Sequence, residues 1–249
     1  LIENFYLSLK AKPFVILAGT SGTGKTRLVR LFAEAIQAQY KLVSVRPDWS
    51  DSSDLFGHVD LNQKFIPGAI IDFVKQAELN PTKPYFLCLD EMNLAPVEQY
   101  FAEFLSILES RKLLEDGETI LSEPLIKADI FNKYPNLANE LSGKSTPEKN
   151  HRDSGYMVTS PVEEYIPMED EYKELQKNGL RIPQNVLVIG TVNMDDTTHQ
   201  FSRKVIDRAM TIEMNEVDLE GGLDNKYESI GKLDEAELIG YAVEGVDVY

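Results

Sequence analysis

Short apolar runs alternate along this chain with longer stretches in which apolar residues return every three or four positions. The runs are "FVILA" (14 to 18), "KLVSV" (41 to 45), "YFLCL" (85 to 89), "VLVIGTV" (186 to 192) and, more weakly, "TIEM" (211 to 214). Runs of this kind suit strands buried on both faces of a parallel sheet. Between them, Thr26 to Tyr40 places Leu28, Leu31, Phe32, Ala35 and Ile36 at helical spacing. Gly68 to Leu79 also reads as a helix, as does Val97 to Leu113, where positions 97, 101, 104, 105 and 108 make one apolar face. Strands alternating with helices predict an α/β three-layer sandwich around a central parallel sheet. Residues 54 to 67 read as a hairpin with Leu61, Asn62 and Gln63 at its tip.

The segment Glu115 to Gly179 breaks the pattern. It holds five of the twelve prolines and no sustained periodicity, and it is read as a partly disordered insertion, because structureless loops of that length are uncommon in compact domains. The expected organisation is a core over residues 1–215, interrupted by the insertion at 115–179, and a tail over 216–249. The net charge of −16 follows the same division. The insertion carries 14 acidic against 7 basic residues, the tail 10 against 2, and the rest 17 against 16. The core is thus nearly neutral, and neither acidic region has the character of a DNA-binding face. The longest apolar runs fall far short of the roughly 18 residues a membrane helix needs, and no basic-then-apolar signal opens the chain, so no membrane contact is expected and the location is read as cytoplasmic. Cys88 is the single cysteine, and with only three histidines the chain offers no zinc-ligand spacing.

"GTSGTGKT" supplies the first candidate chemistry. Gly19, Thr20, Ser21, Gly22, Thr23, Gly24, Lys25 and Thr26 fit G-x-x-x-x-G-K-[ST] between a buried strand and a helix. Glycines there let backbone N–H groups turn toward phosphate oxygens, and the helix start adds its positive dipole end. Lys25 would reach the β and γ phosphates of a bound nucleotide, and the Thr26 hydroxyl would ligate Mg²⁺. The third strand ends in Asp90 and Glu91. Asp90 suits the metal's water shell and Glu91 the attacking water, although an acid pair alone also suits a solvated strand end. The fourth strand ends at Asn193, where an amide orients water beside the γ-phosphate or caps a turn.

"GTSGTGKT", "LCLDEMN", "VRPDWSDSSDLFG" (45 to 57) and "IGTVNMDDTTHQFSRKVIDRA" together resemble the McrB-type branch of the AAA+ NTPases, the motors of methylation-dependent restriction systems. The resemblance runs from about residue 1 to 215 outside the insertion. It implies a P-loop NTPase that hydrolyses GTP or ATP with Mg²⁺, assembles into a homo-oligomeric ring, a hexamer, and works with an McrC-like nuclease subunit. DNA would be read only by another domain or subunit. Asn193 corresponds to the family's sensor asparagine, and Asp196 to the last residue of its M-N-x-x-D signature, whose methionine is replaced here by Val192. Arg208, with Arg203 second, corresponds to the arginine that completes a neighbouring subunit's site. An ion pair of Arg208 with Asp207 or Asp196 is the plain structural alternative. Residues 216–249 are too short and glycine-spaced for the usual helical lid, so the lid is read as reduced or missing, or the chain as a fragment opening at Leu1. Two other functions fit the same motifs: a MoxR-like ATPase that remodels protein complexes, and a nucleotide-gated assembly module with little turnover.

Overall fold

The computed structural model describes residues 1–115, 120–134, 137, 141, 169–194 and 199–215. The chain begins with α1 (Ile2–Ala11), β1 (Phe14–Gly19), α2 (Lys25–Ala35) and β2 (Gln39–Ser44), followed by a short α3 (Ser53–Phe56). A hairpin of β3 (Gly57–Val59) and β4 (Phe65–Pro67) leads into α4 (Ile71–Leu79) and β5 (Tyr85–Asp90). After one 3-10 turn at Met92–Leu94 come α5 (Val97–Tyr100), α6 (Ala102–Glu109), β6 (Lys112–Leu113), β7 (Ile120–Leu121), β8 (Pro124–Ile126) and α7 (Ala128–Lys133). The remaining elements are α8 (Glu169–Asn178), β9 (Leu180–Arg181), β10 (Val186–Asn193), α9 (Arg203–Ile206) and β11 (Met210–Glu213).

All five predicted strands enter one parallel sheet in the order β11-β1-β10-β5-β2. Its three central strands are buried almost throughout, as their unbroken apolar runs require, whereas most residues of the edge strands β2 and β11 are half-buried or exposed. Side chains pointing to opposite faces build two separate cores. Phe14, Ile16, Leu87, Leu89 and Val188 join the helices α4 to α6 on one face. Val15, Leu17, Phe86, Cys88 and Ile189 join α1 and α2 on the other. The two cores are the interfaces between the sheet and the helices on either side of it, as the expected three-layer sandwich requires.

Several boundaries differ from the sequence reading. The helix read as Thr26 to Tyr40 ends at Ala35, because Gln37 turns left-handed (φ 57°) and Ala38 N–H bonds back to the Ala33 carbonyl, which frees Tyr40 for β2. The helix read as Val97 to Leu113 is two pieces that meet at Phe101 and stop at Glu109. There the Ser110 hydroxyl donates to the Ile107 carbonyl and accepts the Glu123 N–H, and Lys112–Leu113 pair with β7. Helix α1 was not anticipated, since only Phe5, Ser8 and Leu9 of its ten residues are buried.

The ends of the segment read as an insertion carry regular structure. β8 pairs with β9, and Leu125, Ile126, Phe131 and Leu175 enter the core beneath α6. Elements of two to ten residues are too short for a periodic signal to show above background. Residues 142–168 and the tail 216–249 lie outside the described residues. Among the described residues no helix is long and apolar enough to cross a membrane.

Candidate active site

The strand order decides which chemical groups meet. β10 lies between β1 and β5, so the carboxyl ends of three strands converge: Gly19 is in register with Asn193, and Gly190 with Leu89. Ligands of open α/β sheets collect at this edge. A cleft of about 250 Å³ opens there, lined by Ser21, Gly22, Gly24, Lys25, Thr26 and Arg27 on one side and by Asp90, Glu91, Thr191 and Asn193 on the other.

The loop is shaped by two left-handed glycines, Gly22 (φ 82°) and Gly24 (φ 83°), a conformation that residues with a Cβ rarely adopt. Gly24 accepts the Leu28 N–H and so starts α2 immediately at Lys25. Lys25 is 6% exposed, and its ammonium donates to the carbonyls of Gly19 (3.0 Å) and Thr20 (2.6 Å). Thr23 Oγ1 donates to the Thr20 carbonyl at 3.0 Å, which closes the loop on itself. Gly19, Thr20 and Thr23 thus frame the lysine and do not line the cleft.

Asp90 and Glu91 face different partners. Asp90 Oδ1 accepts from the hydroxyls of Thr26 (2.6 Å) and Thr191 (2.7 Å). Glu91 sits in a left-handed turn (φ 53°, ψ 49°), its N–H bonded to Thr191 Oγ1 at 2.9 Å, and Oε1 accepts from Asn193 Nδ2 at 2.8 Å. Thr26 and Asp90 form an oxygen-only donor pair within one hydrogen bond of each other, which fits a hard cation that keeps most of its water shell. Among the described residues no three His, Cys, Asp or Glu gather into a protein-only metal cage.

The turn after Glu91 is stitched to the strand end beyond Asn193. Asn93 Nδ2 donates to the Asn193 carbonyl at 2.8 Å, His199 N–H donates to the Asn93 carbonyl at 3.0 Å, and Ser202 N–H donates to Glu98 Oε1 at 2.6 Å. Burial opposes ionisation of Glu98, but the Ser202 hydrogen bonds and nearby His199 together hold its carboxyl below the usual range. Tyr100 Oη braces the turn from below through the Met92 carbonyl at 3.0 Å. A Cβ on Gly190 would lie 2.0 Å from the Met92 sulfur, so the glycine leaves the space this turn occupies. Cys88 stands two positions before Asp90 on β5 and packs in the core of α1 and α2, where burial pushes its thiol up to about 12. It is a packing residue, as the apolar run around it implied.

Arg208 does not line the cleft of its own chain. Its guanidinium pairs with Glu109 at the end of α6 and, among the described residues, not with the Asp207 weighed from sequence. Arg203 is exposed on α9, and Asp196 lies outside the described residues with 195, 197 and 198. Sequence reasoning overlooked Thr191, Arg27 and Asn93. Thr191 had a legible signal: it is polar in an apolar strand and stands two positions before Asn193, hence on the same face.

A phosphate loop on a helix start, facing a carboxylate pair across a parallel sheet's edge, defines a P-loop nucleotide-binding protein. The chain belongs to the AAA domain family, dynein-related subfamily, whose model matches residues 14–211. It is 23% identical over 232 residues to the Type IV methyl-directed restriction enzyme EcoKMcrB subunit of Escherichia coli, covering 90% of this chain and 39% of that protein. It is 27% identical over 191 residues to the Lon protease of Mycoplasma mycoides, covering 68% of this chain and 24% of the protease. The chain therefore spans about a quarter to two fifths of the length of these relatives. A solved structure from Cytophaga hutchinsonii, described provisionally as an ATPase, aligns over 99% of this chain and 55% of its own at 16% identity and a TM-score of 0.44.

Proposed function

We propose that this chain is the motor unit of a Mg²⁺-dependent nucleoside triphosphatase, using GTP or ATP, that assembles into a ring and drives a McrB-type restriction or defence complex. The observation that carries the hydrolase reading is the continuous network Thr26–Asp90–Thr191–Glu91–Asn193, which joins the phosphate loop to a carboxylate and an amide across one cleft. Lys25 and the α2 N-terminus supply positive charge where phosphates would lie, and a bound Mg²⁺ would add charge neutralisation there. Thr26 and Asp90 are the residues that would hold it. Glu91 is the acceptor for the proton of an attacking water, and Asn193, bonded to Glu91, orients it without adding negative charge. Arg208 would serve the neighbouring subunit, in accord with its place outside its own cleft.

The restriction-motor reading is supported by the match to the EcoKMcrB subunit across nine tenths of this chain. The second reading is a protein-remodelling ATPase of the MoxR kind, for which the similarity to a protease is the motive. Phosphate release from GTP and ATP, with gel filtration in a non-hydrolysable analogue, tests the motor. Turnover that rises with assembly supports it, and assembly without phosphate release reduces the chain to a nucleotide-gated module. Stimulation by a nuclease partner rather than by an unfolded protein client favours the restriction complex.

A further inference from the structure

Thr191 lies 2% exposed in the middle of the network, and its hydroxyl touches both acids. It donates to Asp90 Oδ1 at 2.7 Å and accepts the Glu91 N–H at 2.9 Å. The Thr26 hydroxyl donates to the same Asp90 oxygen at 2.6 Å, so Oδ1 is engaged twice. Oδ2 accepts no hydrogen bond among the described residues and is the oxygen left for a cation's water shell. The second bond of Thr191 holds Glu91 in its left-handed turn, a backbone state that residues with a Cβ rarely occupy. Without that turn the strand would continue extended and send Glu91 to the face opposite Asp90. With it, Asp90 stays against Thr26 while Glu91 reaches Asn193.

We propose that Thr191 is the positioning residue that assigns the two adjacent carboxylates to separate tasks, fixing Asp90 for the cation and Glu91 for water. The proposal rests on the nucleotide reading of the cleft. Its test is equilibrium binding of a fluorescent ATP or GTP analogue, with Mg²⁺ and with EDTA, to the wild type, Thr191→Val and Thr191→Ser, alongside phosphate release. Valine keeps the shape and removes the hydroxyl; serine keeps the hydroxyl.

Residues that orient metal-binding groups from behind matter to metal affinity or activity by roughly 10- to 100-fold, so Thr191→Val should lose about tenfold or more of the Mg²⁺-dependent gain in affinity and of turnover. Its affinity in EDTA should stay within about twofold of wild type, and Thr191→Ser should resemble wild type in both assays. Undiminished Mg²⁺ dependence and turnover in Thr191→Val would overturn the proposal. So would equal weakening with and without Mg²⁺, which marks a merely structural role. Thr191→Ala, which creates a small void without a misfit, provides the same comparison if the valine protein does not fold. Absence of nucleotide binding by the wild type would instead overturn the nucleotide reading itself.

Discussion

Replacing Glu91 by glutamine changes a single oxygen to an amide nitrogen. The remaining oxygen can still accept from Asn193 Nδ2, now at 2.8 Å, and the backbone bond to Thr191 is untouched. The cleft keeps its shape and nucleotide affinity should change by less than about threefold. A neutral hydrogen bond is about half as strong as a charge-assisted one, a loss of about 1 kcal/mol, so the melting temperature should fall by only about 2–4 °C in a protein of this size. Turnover should respond very differently. A positioned general base contributes roughly 10²- to 10⁴-fold, so a drop of about a thousandfold is expected, equivalent to about 4 kcal/mol of barrier. Phosphate release at saturating nucleotide measures the drop, and titration of a fluorescent analogue measures affinity on the same preparation. Turnover within threefold of wild type would remove Glu91 from the chemistry. A loss of affinity as large as the loss of turnover would make it a residue that shapes the cleft.

Two further outcomes follow from other parts of the molecule. Mixing Glu91→Gln with Arg208→Ala should restore hydrolysis that neither variant shows alone, because each supplies what the neighbour lacks, and no recovery at ring-forming concentrations would confine Arg208 to its own chain; the Glu109 pair lost with Arg208 is partly exposed and should alter stability by less than about 1 kcal/mol. Arg111 is 2% exposed, its one hydrogen bond among the described residues goes to the Pro183 carbonyl, and burial pushes its guanidinium down to about 10. Because the folded value lies below the unfolded one, the penalty, about 3 kcal/mol, is complete below pH 10 and is relieved only as pH rises through 10. Arg111→Met should therefore raise the melting temperature at pH 7 by a few degrees after the lost hydrogen bond is counted, with unchanged nucleotide affinity, since Pro183 precedes the start of β10, at the opposite end of the strand from the cleft. A fall of several degrees would show that the guanidinium is net favourable.

How much of this was legible depended on whether a signal was local. The sheet was legible because Phe14 to Ala18, Tyr85 to Leu89 and Val186 to Val192 are buried on both sides, and the phosphate loop because glycine spacing is itself the requirement. Strand ends followed at once, and with them the approach of Asp90, Glu91 and Asn193. Helix ends did not. The stop at Glu109 depends on Ser110 meeting Glu123, and the end of α2 on a left-handed Gln37, neither of which leaves a periodic trace. The Thr191 bridge and the Asn93 stitch join residues about a hundred positions apart, so only the fold reveals them. Glu109 rather than the adjacent Asp207 meets Arg208 for the same reason: the end of α6 is close in space and far in sequence.

The most direct measurement is equilibrium binding of a fluorescent triphosphate, in Mg²⁺, to wild type and to Lys25→Ala. Saturable binding by the wild type and a loss of roughly 10- to 100-fold in the variant are predicted, the loss expected when a charged hydrogen-bond donor is removed from a phosphate site. Equal affinity for the two proteins, or no binding by either, would contradict a phosphate-binding cleft at Gly19 to Thr26.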